Sequence, residues 1–491
     1  MMPTEQEVLA KVPTGLFING QWVEGHGESL IEVEDPATGQ TLLEIANASA
    51  EDGLAALTAA DNAQAKWSKT SPRERAEILR RAFELVRERA EDFAMLISLE
   101  MGKPLAEARG EVAYGNEFIR WFSEEAVRIH GRFGSLPEGH GRALITKRPV
   151  GPAFAITPWN FPLAMATRKI GPALAAGCTV VVKPAELTPL TTLLFVKTLE
   201  EAGLPAGVVN VITTSTSSAT SAPIIADSRL RKITFTGSTA VGRILLKQSA
   251  DRILRTSMEL GGNAPFLVFQ DANLDAAVDG AMLAKMRNIG QACTAANRFI
   301  VHESVADEFA TKLASRMADL KLGRGIEAGT TMGPVINEKA RENMQRLVDL
   351  TVAEGGDIVT GGEAGAGDGY FFKPTVLANV RPGSTILNEE IFGPIAPIVR
   401  FKTESEAIGL ANATEYGLVS YAFTEDLKRG MRLVESLESG MTGLNSGLVS
   451  NAAAPFGGVK ESGMGREGGF EGIEEYLETR YVMIPATEAN D

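Results

Sequence analysis

Cys293 lies in Asn288-Ile-Gly-Gln-Ala-Cys-Thr294, among glycine and polar residues rather than Leu or Val, and is one of two cysteines in 491 residues. A thiolate is the strongest ordinary nucleophile a side chain supplies, and this setting leaves it reachable. The competing reading is a small packed hydrophobe, the common fate of a free cysteine. Cys178 fits that fate, since it falls between Ala173-Leu-Ala-Ala-Gly177 and Thr179-Val-Val-Val182, a helix end feeding a strand. Glu259 stands in Met258-Glu-Leu-Gly-Gly-Asn263, an otherwise apolar and glycine-rich junction. Burial there would raise its affinity for a proton and tune it toward a general base near neutrality. A carboxylate tied to backbone N–H groups at a domain junction is the alternative. The four histidines, His26, His130, His140 and His302, are scattered without cysteine clusters, so no metal set is expected and a cysteine–histidine hydrolase is weakened.

A second group of residues has the chemistry to hold a nucleotide. Phe235-Thr-Gly-Ser-Thr-Ala-Val-Gly242 puts Gly237 and Ser238 between a strand and a helix, where backbone N–H groups could face a phosphate. It lacks both the G-x-G-x-x-G fingerprint and the phosphate loop with its lysine, so ordinary turn chemistry explains it as readily. Lys183-Pro-Ala-Glu186 ends an earlier apolar strand, where open sheets bind ligands. The ammonium could hold a ribose hydroxyl or a phosphate and Glu186 could accept from ribose hydroxyls; either alone also reads as a solvated loop charge.

These groups need a scaffold, and the chain spells one out. Ile78, Ala82, Leu85, Phe93 and Ile97 recur at helical spacing over 75–101, predicting a helix with one buried face. From Pro149 the pattern changes to short apolar runs without alternation: Phe154-Ala-Ile-Thr157, Thr179-Val-Val-Val182, Val208-Val-Asn-Val-Ile212 and Ile233-Thr-Phe-Thr236. Such strands suit a parallel sheet covered on both faces, an α/β region. The helix after the second strand is expected to start with Thr188 as cap and Pro189 in its first turn, and to end at Gly203. A second α/β region follows Glu259, with Pro265-Phe-Leu-Val-Phe269 and Ala396-Pro-Ile-Val-Arg-Phe401, and 361–369 reads as a glycine-rich surface loop. The apolar, aromatic segment Tyr476-Leu-Glu-Thr-Arg-Tyr-Val-Met483 reads as a strand whose edge needs cover, by another subunit or by the chain's own body.

A chain of this length should divide into two or three domains at roughly 150 residues each. With 48 basic and 62 acidic residues the net charge is −14, against non-specific nucleic-acid binding or an anionic membrane surface. No run reaches about 18 apolar residues, so no membrane span is expected. Two cysteines form no disulfide framework, and Met1-Met-Pro-Thr-Glu-Gln-Glu7 has no signal-peptide pattern, which points to the cytoplasm.

Ile156-Thr-Pro-Trp-Asn-Phe-Pro-Leu163, Met258-Glu-Leu-Gly-Gly-Asn263, Gly290-Gln-Ala-Cys-Thr294, Glu389-Glu-Ile-Phe-Gly-Pro394 and Pro455-Phe-Gly-Gly-Val-Lys460 recur in order over nearly the whole chain. In this the sequence resembles the aldehyde dehydrogenase superfamily, and within it most closely the succinate-semialdehyde branch, through Phe235-Thr-Gly-Ser-Thr239, Leu260-Gly-Gly-Asn-Ala-Pro-Phe266 and Gly463-Met-Gly-Arg-Glu-Gly468. The resemblance implies an α/β fold with a Rossmann-like cofactor domain (1–126 and 148–259), an α/β catalytic domain (260–462) and a small β bridging unit (127–147 and 463–491) used in homodimers or homotetramers. It implies Cys293 as nucleophile, Glu259 as general base and Asn160 as an oxyanion donor. It implies cofactor contacts by Thr157, Pro158, Trp159, Lys183, Glu186, Gly237, Ser238, Glu390 and Phe392, with NAD preferred through Glu186 and NADP possible. It places a substrate carboxylate on Arg168, Arg287 and Ser450.

A guanidinium pair can fork onto a carboxylate, which favours a carboxylated aldehyde of four carbons, with five close behind. Satisfying acidic neighbours or helix ends is the other use for those arginines. A cofactor-independent cysteine esterase is the reading from a different class. Ala295 stands where some relatives carry a second cysteine, so a disulfide switch within the loop is not expected.

Overall fold

The computed structural model describes residues 3–486; Met1, Met2 and residues 487–491 of the expected bridging unit lie outside them. The chain builds two large sheets whose opposing edges meet. In the first, strands Ala153–Ile156, Val180–Lys183 and Lys232–Thr236 are buried along their whole length. Their unbroken apolar runs follow from that: Pro162–Ala176 and Leu190–Glu201 cover one face and Ala50–Trp67 with Thr239–Ala250 the other, so neither face is free for polar side chains.

From Ala153–Ile156 the chain winds outward through Val180–Lys183 to Val209–Val211, then returns to add Lys232–Thr236 and Arg255–Glu259 on the other side, all parallel. The order reverses between Ala153–Ile156 and Lys232–Thr236. The loops beyond those two strands, with Thr157 to Asn160 on one and Gly237 with Ser238 on the other, therefore diverge and leave a crevice.

The second sheet has Ala264–Val268 and Ala296–His302 at its centre, flanked by Ile395–Phe401 and Val419–Phe423, again in parallel. Glu259 ends the last parallel strand of the first sheet and Ala264 opens a central strand of the second. Only Leu260-Gly-Gly-Asn263 separates them, so the carboxyl-terminal edge of one sheet faces the amino-terminal edge of the other. Cys293 precedes Ala296–His302, and Glu390 with Phe392 precedes Ile395–Phe401, so all three arrive at that seam.

Three sequence expectations change. The helix over 75–101 is two helices, Pro72–Glu88 and Ala90–Met101, because Arg89 leaves the helical region (φ −103°, ψ 20°). Thr188 is not the cap of its helix: Pro189 takes that position before Leu190–Glu201, and the Thr188 hydroxyl instead donates to the Trp159 carbonyl at 3.0 Å. Gly463–Met464 pairs antiparallel with Met258 and Glu259, so the start of the expected bridging unit hydrogen-bonds within the first sheet. Leu477–Pro485 does lie apart, antiparallel to Gly141–Pro149, with Arg132–Ser135 as third strand, and it exposes Tyr481, Met483 and Ile484. Among the described residues no helix is long and apolar enough to cross a membrane, and no group of three or more His, Cys, Asp or Glu could hold a metal ion.

Candidate active site

The nucleophile loop is held in an unusual backbone path. After the helix Leu274–Met286, Asn288 (φ 58°), Ile289 (φ 60°) and Gly290 (φ 73°) are all left-handed. The two non-glycine residues each store roughly 1–3 kcal/mol of strain, which persists only if the surroundings over-determine it. They do. The Asn288 amide donates to the carbonyls of Asn160 (3.0 Å) and Gln291 (2.8 Å), and its backbone N–H donates to Glu107 (2.6 Å). Close approach sets two glycines: a Cβ on Gly290 would sit 2.2 Å from the Gly393 carbonyl oxygen, and one on Gly262 would sit 2.3 Å from that of Cys293.

Cys293 thereby lines a cavity of about 220 Å³ with Asn160, Trp159, Ser238, Glu390 and Phe392. Burial pushes its thiol up to about 12, with Arg168 pulling the other way and Glu390, Glu259 and Glu467 adding to the rise. The resting sulfur is a thiol. Cys178 is fully buried, raised to about 11 by burial, and donates to the Tyr476 carbonyl at 3.4 Å.

Glu259 is buried at its strand end but does not line that cavity. Its Oε1 lies 2.9 Å from where a Cβ on Gly457 would be, and its Oε2 has no hydrogen-bond partner among the described residues. Burial, with Glu467 beside it, pushes the carboxyl well above its ordinary range against the pull of Arg168, Lys169 and Arg466. Glu467 goes the opposite way. Burial works against its charge, yet Lys169 Nζ at 2.5 Å and Arg168 at 2.7 Å hold its carboxyl below the usual range. Two neighbouring carboxyls with proton affinities driven apart divide the labour: Glu467 stays an anion and Glu259 is the one that can take up and release a proton.

Arg168 corrects the sequence reading. It is 1% exposed, its guanidinium lies 3.9 Å from the centre of the Phe456 ring, and it is ion-paired with Glu467. It does not stand open on the funnel wall, because a guanidinium this deep requires a counter-charge. Arg287 differs. It rests on the faces of Phe161 (5.0 Å) and Tyr114 (5.5 Å) and makes no ion pair among the described residues. Arg287 and Ser450 line one narrow crevice with Ala292 and Thr294, and Ser450 continues into a wide funnel of about 850 Å³ that Tyr114 also lines. The structure thus brings Arg287 and Ser450 together and sets Arg168 beneath.

The expected nucleotide contacts fall in two places. Pro158, Trp159, Gly237, Ser238, Glu390 and Phe392 line the Cys293 cavity, with Trp159 edge-on to Phe392 at 5.4 Å and 78°. Ser238 caps the helix Thr239–Ala250, accepting from Val241 N–H at 3.4 Å, so that helix start faces the crevice. Glu390 accepts from Gly262 N–H at 3.0 Å, and burial raises its carboxyl to about 7. Lys183, Glu186 and Thr157 lie outside that cavity. Lys183 is buried and lowered to about 8 by desolvation, while Glu186 is exposed and Thr157 donates its N–H to the Lys183 carbonyl at 3.1 Å. An aromatic-lined cavity, a helix start and carboxylates for hydroxyls fit a nicotinamide dinucleotide.

Two residues that position Asn160 escaped the sequence reading. Glu111 accepts from Leu163 N–H at 3.0 Å and pairs with Lys103 at 2.5 Å; Lys103 also donates to the Asn160 carbonyl at 2.9 Å. Both are buried, and nothing in their local pattern marks them. One N–H of the Asn160 amide donates to the Gln291 carbonyl at 3.0 Å.

Residues 22–482 match the model of the aldehyde dehydrogenase family. The chain belongs to that family. The protein is therefore an NAD(P)-dependent oxidoreductase acting on an aldehyde group. It is 60% identical over 443 residues to a succinate-semialdehyde dehydrogenase of Paenarthrobacter nicotinovorans, covering 90% of this chain and 98% of that one. A glutarate-semialdehyde dehydrogenase of Pseudomonas putida is 48% identical, covering 95% of this chain and 97% of its own. The crystal structure of succinate-semialdehyde dehydrogenase from Burkholderia pseudomallei superposes with a TM-score of 0.95 at 47% identity, covering 97% of this aldehyde dehydrogenase and 99% of that chain.

Proposed function

We propose that this aldehyde dehydrogenase oxidises succinate semialdehyde to succinate, with glutarate semialdehyde as a second substrate. The observation that carries the reading is the Arg287 guanidinium, held on two aromatic faces with its N–H edge unclaimed among the described residues, beside Ser450 and six residues before the nucleophile. An apolar aldehyde has no use for it. A carboxylate gains paired, oriented hydrogen bonds, and Arg168 adds positive potential from below. One more methylene changes binding by only about 1–3 kcal/mol, so the five-carbon substrate is accepted too.

Cys293 Sγ, as the thiolate left when its proton passes to water, attacks the aldehyde carbon, and the oxyanion that forms is received by the free N–H of the Asn160 amide and the backbone N–H of Cys293. When bound, the nicotinamide supplies the hydride acceptor. Glu259 then turns from Gly457 toward the acyl sulfur and takes a proton from the water that cleaves the Cys293 thioester. Glu186 beside the cofactor's ribose disfavours a 2′-phosphate and Lys183 offsets this in part, so NAD is preferred and NADP used. Association into a homodimer or homotetramer through the Leu477–Pro485 sheet would cover Tyr481, Met483 and Ile484, and two free thiols suit the cytoplasm.

Specificity constants for succinate semialdehyde and butanal, followed at the nicotinamide absorbance, test the substrate reading. A large preference for the carboxylated aldehyde is expected; equal constants overturn it.

A further inference from the structure

Tyr114 is a residue that neither the mechanism nor the family pattern uses. It stands on the helix Leu105–Glu125, edge-on to Phe118 at 5.0 Å and 81°. Its ring packs on the cluster of Phe161, Met165, Ala292 and Ala295 that backs the nucleophile loop. The Arg287 guanidinium lies 5.5 Å from its ring centre, and the Arg168 guanidinium lies 5.5 Å from the ring of the adjoining Phe118. The phenol is therefore set between Arg287 and the buried Arg168. Its hydroxyl is shielded from solvent and has no hydrogen-bond partner among the described residues.

A shielded hydroxyl without a partner is an unfavourable arrangement unless something completes it. The side chains packed on its ring are the Arg287 guanidinium and apolar groups, none of them a strong acceptor, so the missing partner is an acceptor, and the positive charge at the ring face favours an anion. We propose that Tyr114 is a specificity-determining residue whose hydroxyl donates to the carboxylate of the substrate, beside the Arg287 guanidinium. This rests on the carboxylated-aldehyde reading and adds a third donor to it. Arg287 supplies charge and a fork, Ser450 a neutral hydroxyl, and Tyr114 a rigid O–H whose direction its packing on Phe118 sets. A rigid donor fixes how deep the carboxylate sits, and so which chain length brings the carbonyl to Cys293.

The test is Tyr114→Phe, which removes one oxygen and leaves the packed ring. Steady-state constants are measured for succinate semialdehyde and butanal, with thermal unfolding of the full-length enzyme alongside. A hydrogen bond to a charged group supports an expected rise of about tenfold to a hundredfold in KM for succinate semialdehyde. The accompanying expectations are a kcat that holds, unchanged constants for butanal, and a Tm no lower than that of the parent. An unchanged ratio of the two specificity constants overturns the inference, as does an equal loss on both aldehydes, which marks a merely structural ring. If the parent enzyme itself fails to prefer succinate semialdehyde, the carboxylate reading has failed. A parent that discriminates beside an unaffected variant isolates the failure to Tyr114.

Discussion

The two cysteines occupy opposite kinds of ground. Cys178 closes a helix, feeds a strand and is sealed on all sides, its S–H spent on a carbonyl. Cys293 sits on a loop kept in a left-handed path by Asn288, against a cavity wall, with the Arg168 cation easing its ionisation. Burial raises both thiols, so proton affinity does not separate them. Access and the donors around the incoming carbonyl do. Reactivity in this fold is assigned by the seam between the sheets and not by the thiol alone.

The sharpest way to break this contrast is to remove each sulfur. Cys293→Ala is expected to abolish turnover, whereas Cys178→Ala should keep full activity and lose about 1 kcal/mol of stability as a small core truncation. Activity assays with thermal melts check both; an active Cys293→Ala enzyme breaks the comparison. Next in size, Asn160→Ala removes an oxyanion donor and should slow acylation by roughly a hundredfold or more, read in the single-turnover rate. Arg287→Met should lower the succinate semialdehyde to butanal ratio about tenfold or more by raising KM, the magnitude of hydrogen bonds to a charged group. Glu467→Gln should destabilise the enzyme by about 3–5 kcal/mol, because Arg168 and Lys169 would be left as buried cations without their anion. The mildest perturbation is pH. Glu259 must be ionised to act, and its carboxyl and the Cys293 thiol are both raised, so the rate should climb with pH through and above neutrality. A rate flat across that range contradicts the raised affinities.

Much of this was legible in the chain because it is local. The unbroken runs from Phe154 to Thr236 declare a two-sided parallel sheet, and the loop composition around Cys293 declares an accessible thiol. What stayed hidden depends on partners far along the chain. Nothing near Arg168 announces Glu467, so a buried ion pair read as an open anion site. Lys103 and Glu111 look like surface charges until the helix they brace is in place. The break at Arg89 is one residue's departure from helical backbone within a continuous apolar stripe, and the pairing of Gly463–Met464 with the first sheet is a backbone register that side chains do not spell. Tyr114 was invisible for the same reason, since its importance lies in what surrounds its hydroxyl.

The central claim is that Cys293 carries the acyl group and Glu259 releases it. Glu259→Gln enzyme mixed with succinate semialdehyde and NAD, quenched and digested, puts that claim to mass spectrometry. A succinyl adduct on the peptide containing Cys293, with a burst of reduced cofactor and slow turnover after it, is the expected result. Undiminished steady turnover without an adduct, or an adduct on Cys178, would contradict it.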